Sequence, residues 1–278
     1  PPYNMSKKRG LGWKYSKHIT MQEGWDIFSK DDYFQFNQKW IKECLRILKH
    51  GGSLWICGSF HNIYQVGFIL QHIEDVKINN SIVWFKPNAQ PNITCRMFTE
   101  STEHLIWASK NGNGKKWKFN YELIKKLNEG KQMRNVWPIP LTPKTEKWAG
   151  PHPTQKPMEL LRRIILACTN EGDTILDPFL GSGTTSVVAK MLNRNSIGIE
   201  KERKYLDIIS KIRLVPHGHS PESFYPDRKN SKLHNPELFT FVACKGWKNP
   251  LTDRGGLQYL FEAFSKEFKG TEPVRLLA

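Results

Sequence analysis

Acidic residues are in short supply in this chain. Asp and Glu together number 26 against 42 Lys and Arg, a formal net charge of +16 over 278 residues. That balance argues against a cationic partner and toward an anionic one, nucleic acid above all, because each phosphate contact on a basic surface releases counterions. Cysteine is sparse as well. Cys44, Cys57, Cys95, Cys168 and Cys244 never fall at CxxC spacing, which excludes a zinc ribbon or a disulfide framework, and no metal site is expected. Cys44, Cys57 and Cys168 lie in apolar runs and read as buried thiols of a reducing compartment. No apolar stretch is long enough for a membrane-spanning helix, and nothing at the start reads as a basic-then-apolar leader. The expectation is a soluble intracellular protein. Internal repeats are missing too. A hydrophobic share of 38%, with 12% aromatics, suffices for a core and excludes a disordered chain. The length suits one well-packed domain with an appendage.

Residues 4 to 24 mix Lys, Gly and Ser with Trp13 and Tyr15 and read as a loop. An amphipathic pattern then runs from Asp31 toward Gly51-Gly52, with Ser29 or Asp31 as its cap. Strands are expected at 53–58, 81–85 and 104–108, with a helix over 62–73. Residues 110 to 150 turn basic and irregular, and Trp117, Trp137 and Trp148 are spaced through them. Two accounts fit that stretch: an insertion with its own small tryptophan core, or a nucleic-acid contact module. Order returns with a helix over 158–168, a strand at 174–177, a helix over 184–192, a strand at 196–200 and a helix over 201–212. The alternation points to an α/β fold with a mostly parallel sheet and helices on both faces. Residues 216 to 278 carry several Pro and His and one helical pattern, near 257–268.

The strongest local signal is Asp177-Pro178-Phe179-Leu180-Gly181-Ser182-Gly183, placed where a strand hands over to a helix. Glycines 181 and 183 allow a ligand close to the backbone. Glu200 ends the next strand about 20 residues on, where nucleotide-type sites keep an acid for ribose hydroxyls. The pattern departs from the dinucleotide fingerprint. Thr184-Thr185 stands where a third glycine belongs, and Asp177 would repel a pyrophosphate. A ligand with a ribose and a positive centre fits better, and S-adenosyl-L-methionine has both.

Three separated stretches now carry a resemblance: Pro1-Pro2-Tyr3, then His152-Pro-Thr-Gln-Lys-Pro157, then the glycine-rich run. In that order they resemble the beta arrangement of amino-group DNA methyltransferases from bacterial restriction-modification systems, over about residues 1 to 212. The resemblance implies a Rossmann-like S-adenosylmethionine-dependent methyltransferase fold. It further implies a catalytic role for Pro1, Pro2 and Tyr3. Cofactor binding would fall to Asp177, Pro178, Phe179, Gly181, Ser182, Gly183 and Glu200, joined by His152, Thr154, Gln155 and Lys156. On this reading residues 1–109 are the catalytic part, 110–150 the target-recognition insertion, 151–213 the cofactor part and 214–278 an extension of open role.

The family's catalytic tetrapeptide begins with Asp in most adenine enzymes and Ser in many cytosine-amino enzymes. This sequence opens at the tetrapeptide's second residue, and the expectation is that the natural protein is longer. Pro1-Pro2-Tyr3-Asn4 with Gly24-Trp25-Asp26 resembles the adenine-N6 enzymes, some of which accept single-stranded DNA. The expected reaction is methylation of a flipped-out adenine at N6. The alternatives are N4-cytosine methylation, methylation of RNA or another amine, and a non-catalytic nucleic-acid-binding protein with this fold. Partners implied are duplex DNA, a cognate restriction endonuclease and a second copy of the chain, in the bacterial cytoplasm. Lys7, Lys8, Arg9, Lys14, Lys115, Lys116, Lys118, Lys131 and Arg134 are the candidate DNA contacts.

Overall fold

The computed structural model describes residues 1–6, 23–92, 95–111, 114, 116–147, 150 and 152–209, with two further strands at 240–243 and 274–277. The expected helix near 257–268 and the residues Trp13, Trp148 and Cys244 lie outside the described residues. Helix α1 (Lys30–Ile47) begins where Ser29 accepts the Asp32 amide, and Asp31 and Asp32 favour its positive end. It stops short of Gly51-Gly52, because the chain is already extended at Leu48. Strand β1 (Ser53–Gly58), helix α2 (Ile63–Gln71) and strands β2 (Val76–Phe85) and β3 (Thr102–Lys110) follow. β2 is twice the expected length. Its first half carries Lys77, Asn79 and Asn80 and an irregular register at Ile78/Asn80, which hides the strand alternation.

The remaining elements are α3 (Tyr121–Leu127), β4 (Val136–Pro138), α4 (Met158–Cys168), β5 (Thr174–Asp177), α5 (Thr184–Met191), β6 (Asn195–Glu200), α6 (Arg203–Ile209), β7 (Thr240–Ala243) and β8 (Val274–Leu277). They build one sheet of eight strands in the order β4-β2-β3-β1-β8-β5-β6-β7. Only the β1–β3 and β2–β3 pairs are antiparallel. The extension thus supplies two strands, β8 between β1 and β5 and β7 beside β6.

Both faces of the sheet are covered, so β1 is buried along its whole length and its neighbouring residues serve different cores. Leu54 and Ile56 pack with Trp40, Ile41 and Cys44 of α1 and Val66 and Leu70 of α2. Trp55 and Cys57 face the other way, toward Leu160, Ile164 and Ile165 of α4 and Val188 of α5. Trp117 and Trp137 of the 110–150 stretch join this second core. Trp137 sits on β4, 6.2 Å from the Trp55 ring, and Trp117 packs against the same cluster. The idea that they form a separate core is corrected: β4 adds itself to β2 in parallel, and α3 packs against α4.

Trp55 is the centre of this layer. Its ring stacks on Trp107 at 5.3 Å with planes 5° apart, and its indole N–H reaches the Cys168 sulfur. Trp55→Ala should cost about 3–5 kcal/mol in urea unfolding, with Trp55→Phe costing clearly less. Equal losses for the two variants would mean that burial volume is not what Trp55 contributes.

Candidate functional site

The C-terminal ends of β1, β5 and β6 lie along one edge of the sheet, the usual ligand edge of a parallel α/β fold. The ends of β2 and the start of β3 share that edge, because Phe85 pairs with Thr102 and Gly58 with His104. Residues 1–6 lie along it as a loop tied down nearly atom by atom. Tyr3 and Asn4 donate their amides to Asp26 Oδ1 (2.6 and 2.7 Å), and Met5 and Ser6 donate theirs to Oδ2 (2.8 and 2.9 Å). The Tyr33 hydroxyl on α1 donates to the Pro2 carbonyl at 2.7 Å. Asn4 takes the left-handed backbone conformation that Asn tolerates best, and its side-chain oxygen accepts the Phe28 amide. Among the described residues none donates to the Pro1 carbonyl.

The Tyr3 ring is 5% exposed, and its hydroxyl donates to Glu103 Oε2 at 3.1 Å. Burial and the Glu103 charge push the phenol well above its ordinary range. Glu103 also pairs with Lys156 (3.3 Å) and Lys86 (3.5 Å). Burial alone would raise the Glu103 carboxyl, but the two ammonium groups outweigh it and hold the carboxyl below the usual range. Lys156 stands 5.0 Å from the centre of the Tyr3 ring and donates to the Thr154 carbonyl.

The second half of the site is the turn after β5. Asp177 Oδ1 accepts the Phe179 amide and Oδ2 the Thr185 hydroxyl (2.6 Å), while burial raises its carboxyl. Gly181 and Gly183 are both left-handed, and Gly183 caps α5. The Ser182 hydroxyl meets that of Thr184 at 2.9 Å. Pro178 leads into Phe179, whose ring packs edge-on against Trp40 at 5.3 Å. Glu200 accepts the Gly181 amide on Oε2 and the Glu202 amide on Oε1, both at 2.7 Å. Burial raises the Glu200 carboxyl too, against those amide bonds.

The His152–Lys156 segment joins the two halves. A side chain at 181 would meet His152 Nε2 at 2.9 Å, so the glycine is required by the ring lying against it. His152 Nδ1 accepts the Thr154 amide, and the ring packs on Tyr205 of α6 at 4.2 Å. Gln155 donates to the Glu146 carbonyl, and its buried Oε1 has no partner among the described residues. The glycine cradle, that free acceptor and the acids at the ends of β5 and β6 fit a ribose-bearing cationic ligand.

The structure thus gathers Pro1, Pro2, Tyr3, His152, Thr154, Gln155, Lys156, the 177–183 turn and Glu200 at one edge. The basic candidates among the described residues are not brought there. Lys116 and Lys118 follow the end of β3 at the opposite edge, where Lys77 lies 4.2 Å from the Trp117 ring. Lys131 and Arg134 lie between α3 and β4 along the outer strand. Lys7, Lys8, Arg9, Lys14 and Lys115 fall outside the described residues. Sequence reasoning passed over Glu103, Lys86 and Tyr33. Their places on β3, β2 and α1 give no local pattern that marks them as neighbours of the loop.

Comparison with known proteins supports the same reading. The DNA methylase family N6_N4_Mtase matches residues 1–211. Type II methyltransferase M2.DpnII of Streptococcus pneumoniae is 52% identical over 213 residues, covering 76% of this chain and 79% of that protein. The M1.HpyAVI–SAM complex superposes with a TM-score of 0.55 at 33% identity, over 66% of this chain and 84% of that one. PvuII DNA methyltransferase (cytosine-N4-specific) superposes at 0.59 with 19% identity, over 80% and 79%, a likeness of fold.

Burial first, and then the Lys156 charge, lower the His152 ring from 6.5 to about 4. The unfolded chain therefore takes up this proton first on acidification. The stability linked to His152 is complete above about pH 6.5 and is lost as the pH falls toward 4, by up to about 3 kcal/mol. Melting curves across that window should show a shallower pH dependence in His152→Gln than in the parent. Parallel curves would remove His152 from the acid response.

Proposed function

Because the chain belongs to the DNA methylase family over residues 1–211, we propose that it methylates the exocyclic N6 amine of adenine in DNA, with S-adenosyl-L-methionine as the donor. The observation that carries this reading is the convergence of the Pro1–Asn4 loop, Lys156 and the Gly181–Gly183 turn at one sheet edge. The Rossmann-like methyltransferase fold supplies that edge. S-adenosylmethionine, when bound, supplies an electrophilic methyl group on a sulfonium centre. Glu200 would hold its ribose hydroxyls, with Asp177 facing the positive end and the 181–183 backbone giving it room.

The chemistry asks a poor nucleophile to attack. An aromatic amine has its lone pair drawn into the ring, and an acceptor on its hydrogens favours the tetrahedral form. Among the described residues nothing donates to the Pro1 carbonyl, and the anchored loop would fix its direction. The donor would supply its methyl group to the amine nitrogen, with the carbon–sulfur electron pair remaining on the sulfur and the amine proton passing to water. Tyr3 would stack on the extruded base, with Lys156 and Glu103 holding its ring in place.

The described residues 86–92, 95–101, 139–147 and 152–157 border this edge, and the Leu141 amide bonds Asn88 Oδ1 across them at 2.8 Å. We assign base reading to the 110–150 stretch, whose part from Ile139 onward borders the site. Single-stranded DNA as a second substrate, a cognate endonuclease and self-association belong to the same reading. N4-cytosine methylation is the alternative, since the family includes both kinds of enzyme.

The test is transfer from labelled S-adenosylmethionine to unmethylated duplex and single-stranded DNA, followed by digestion to nucleosides. Label in N6-methyladenine is the expected result. Label in N4-methylcytosine would replace the base assignment, and no transfer despite cofactor binding would sink the enzyme reading. Tyr3→Ala should slow transfer by about 5- to 150-fold, the equivalent of one lost base–aromatic stack of about 1–3 kcal/mol. An undiminished rate would take Tyr3 out of the site.

A further inference from the structure

Asp26 is fully buried, with 0% exposure, and is not on any strand that forms the site. It sits at the end of a single helical turn, Gly24–Asp26, closed by its own amide on the Glu23 carbonyl. A carboxylate has about four lone-pair sites. All four here are taken by the consecutive amides of Tyr3, Asn4, Met5 and Ser6, two on each oxygen, at 2.6 to 2.9 Å. A run of successive amides converging on one anion is a nest, the device that proteins use to hold phosphates and other bound anions. Here the anion belongs to the chain itself.

The bonding is reciprocal. The Ser6 hydroxyl accepts the Glu23 amide at 3.2 Å, so the two ends of the segment between residues 6 and 23 are clasped together. Glu23 in turn pairs with Lys204 on α6, the helix after Glu200, and accepts the Trp25 indole N–H. The turn is therefore braced against the half of the molecule that carries the cofactor turn.

We propose that Asp26 is the positioning residue of the reaction. Its carboxylate sets the curvature of residues 3–6, and through it the direction of the Pro1 carbonyl and the Tyr3 ring. This rests on the assignment of Pro1–Tyr3 as the catalytic loop. Asp26 itself touches neither the cofactor turn nor, on this geometry, the base. Its effect should fall on turnover and spare cofactor affinity. Asparagine is the same size but offers one acceptor oxygen in place of two. Its amide nitrogen would face the Met5 and Ser6 N–H groups or the Tyr3 and Asn4 pair, donor against donor. A displacement of about 1 Å in a reacting group is enough to cost about 100-fold in rate.

The experiment compares the parent, Asp26→Asn and Tyr3→Ala in single-turnover methyl transfer to DNA, together with the dissociation constant for S-adenosylmethionine. The expected result for Asp26→Asn is a turnover rate lower by about 100-fold, with cofactor affinity within about twofold of the parent. A parent without activity would mean that the enzyme reading has failed. An active parent with an equally active Tyr3→Ala would mean that the loop assignment has failed. If Tyr3→Ala is slow while Asp26→Asn keeps the parental rate, the clamp proposal is overturned. A matched loss of rate and cofactor affinity in Asp26→Asn overturns it too, by making Asp26 merely structural. Should the variant not fold, hydrogen exchange in the parent decides. The amides of residues 3–6 should be protected in the free protein to the level of α1, and rapid exchange there would refute a preformed clamp.

Discussion

The Glu103 carboxylate is the tie on which the site depends. It is half-buried on β3 and holds the Tyr3 hydroxyl with one oxygen, while Lys86 and Lys156 share its charge. These partners come from the loop at residues 1–6, the end of β2 and the segment ahead of α4, places far apart in the chain. A buried carboxylate is costly unless it is well paired. Here two lysines and a phenol compensate it, and in doing so they fix the places of three segments. The pairing also explains how Lys156 can stand over an aromatic ring without being drawn away into solvent.

The same economy recurs across the site, where contact surfaces are shared between motifs. The ring of His152 fills the space that a side chain at 181 would need. Gly198 is in a similar position, because a Cβ there would run into the Leu180 side chain. The turn after β5 thus runs between β6 and the His152 segment with no room to spare. Its shape is set as much by these neighbours as by the glycines' own freedom.

Much of this was legible in the sequence, and the exceptions have physical causes. The β5–turn–α5 unit and the acid at the end of β6 are local patterns with fixed spacing, so residues 174–200 could be read directly. The helix over 158–168 was legible because one face of it is apolar and the other carries Arg162 and Arg163. The strand at 136–138 was not, since three residues ending in a proline carry no period, and its pairing with Val83–Phe85 is a tertiary fact. Glu103 was hidden for the same reason: its partners are 17 to 100 residues away. Charge misled most. A cluster of lysines in sequence reports composition, and only the path of the sheet determines which edge those lysines face.

That path has a consequence for how DNA would arrive. Lys116, Lys118, Lys131 and Arg134 lie along the far and outer edges, away from the loops that border the site. Charges so placed act on an approaching polyanion through the field of the whole molecule. They raise the frequency of encounter and do little for the lifetime of the bound state. Their reach is about 8 Å at physiological salt. The protein's hold on DNA and its capture of DNA should therefore respond to ionic strength as two separable properties, governed by different edges of one sheet.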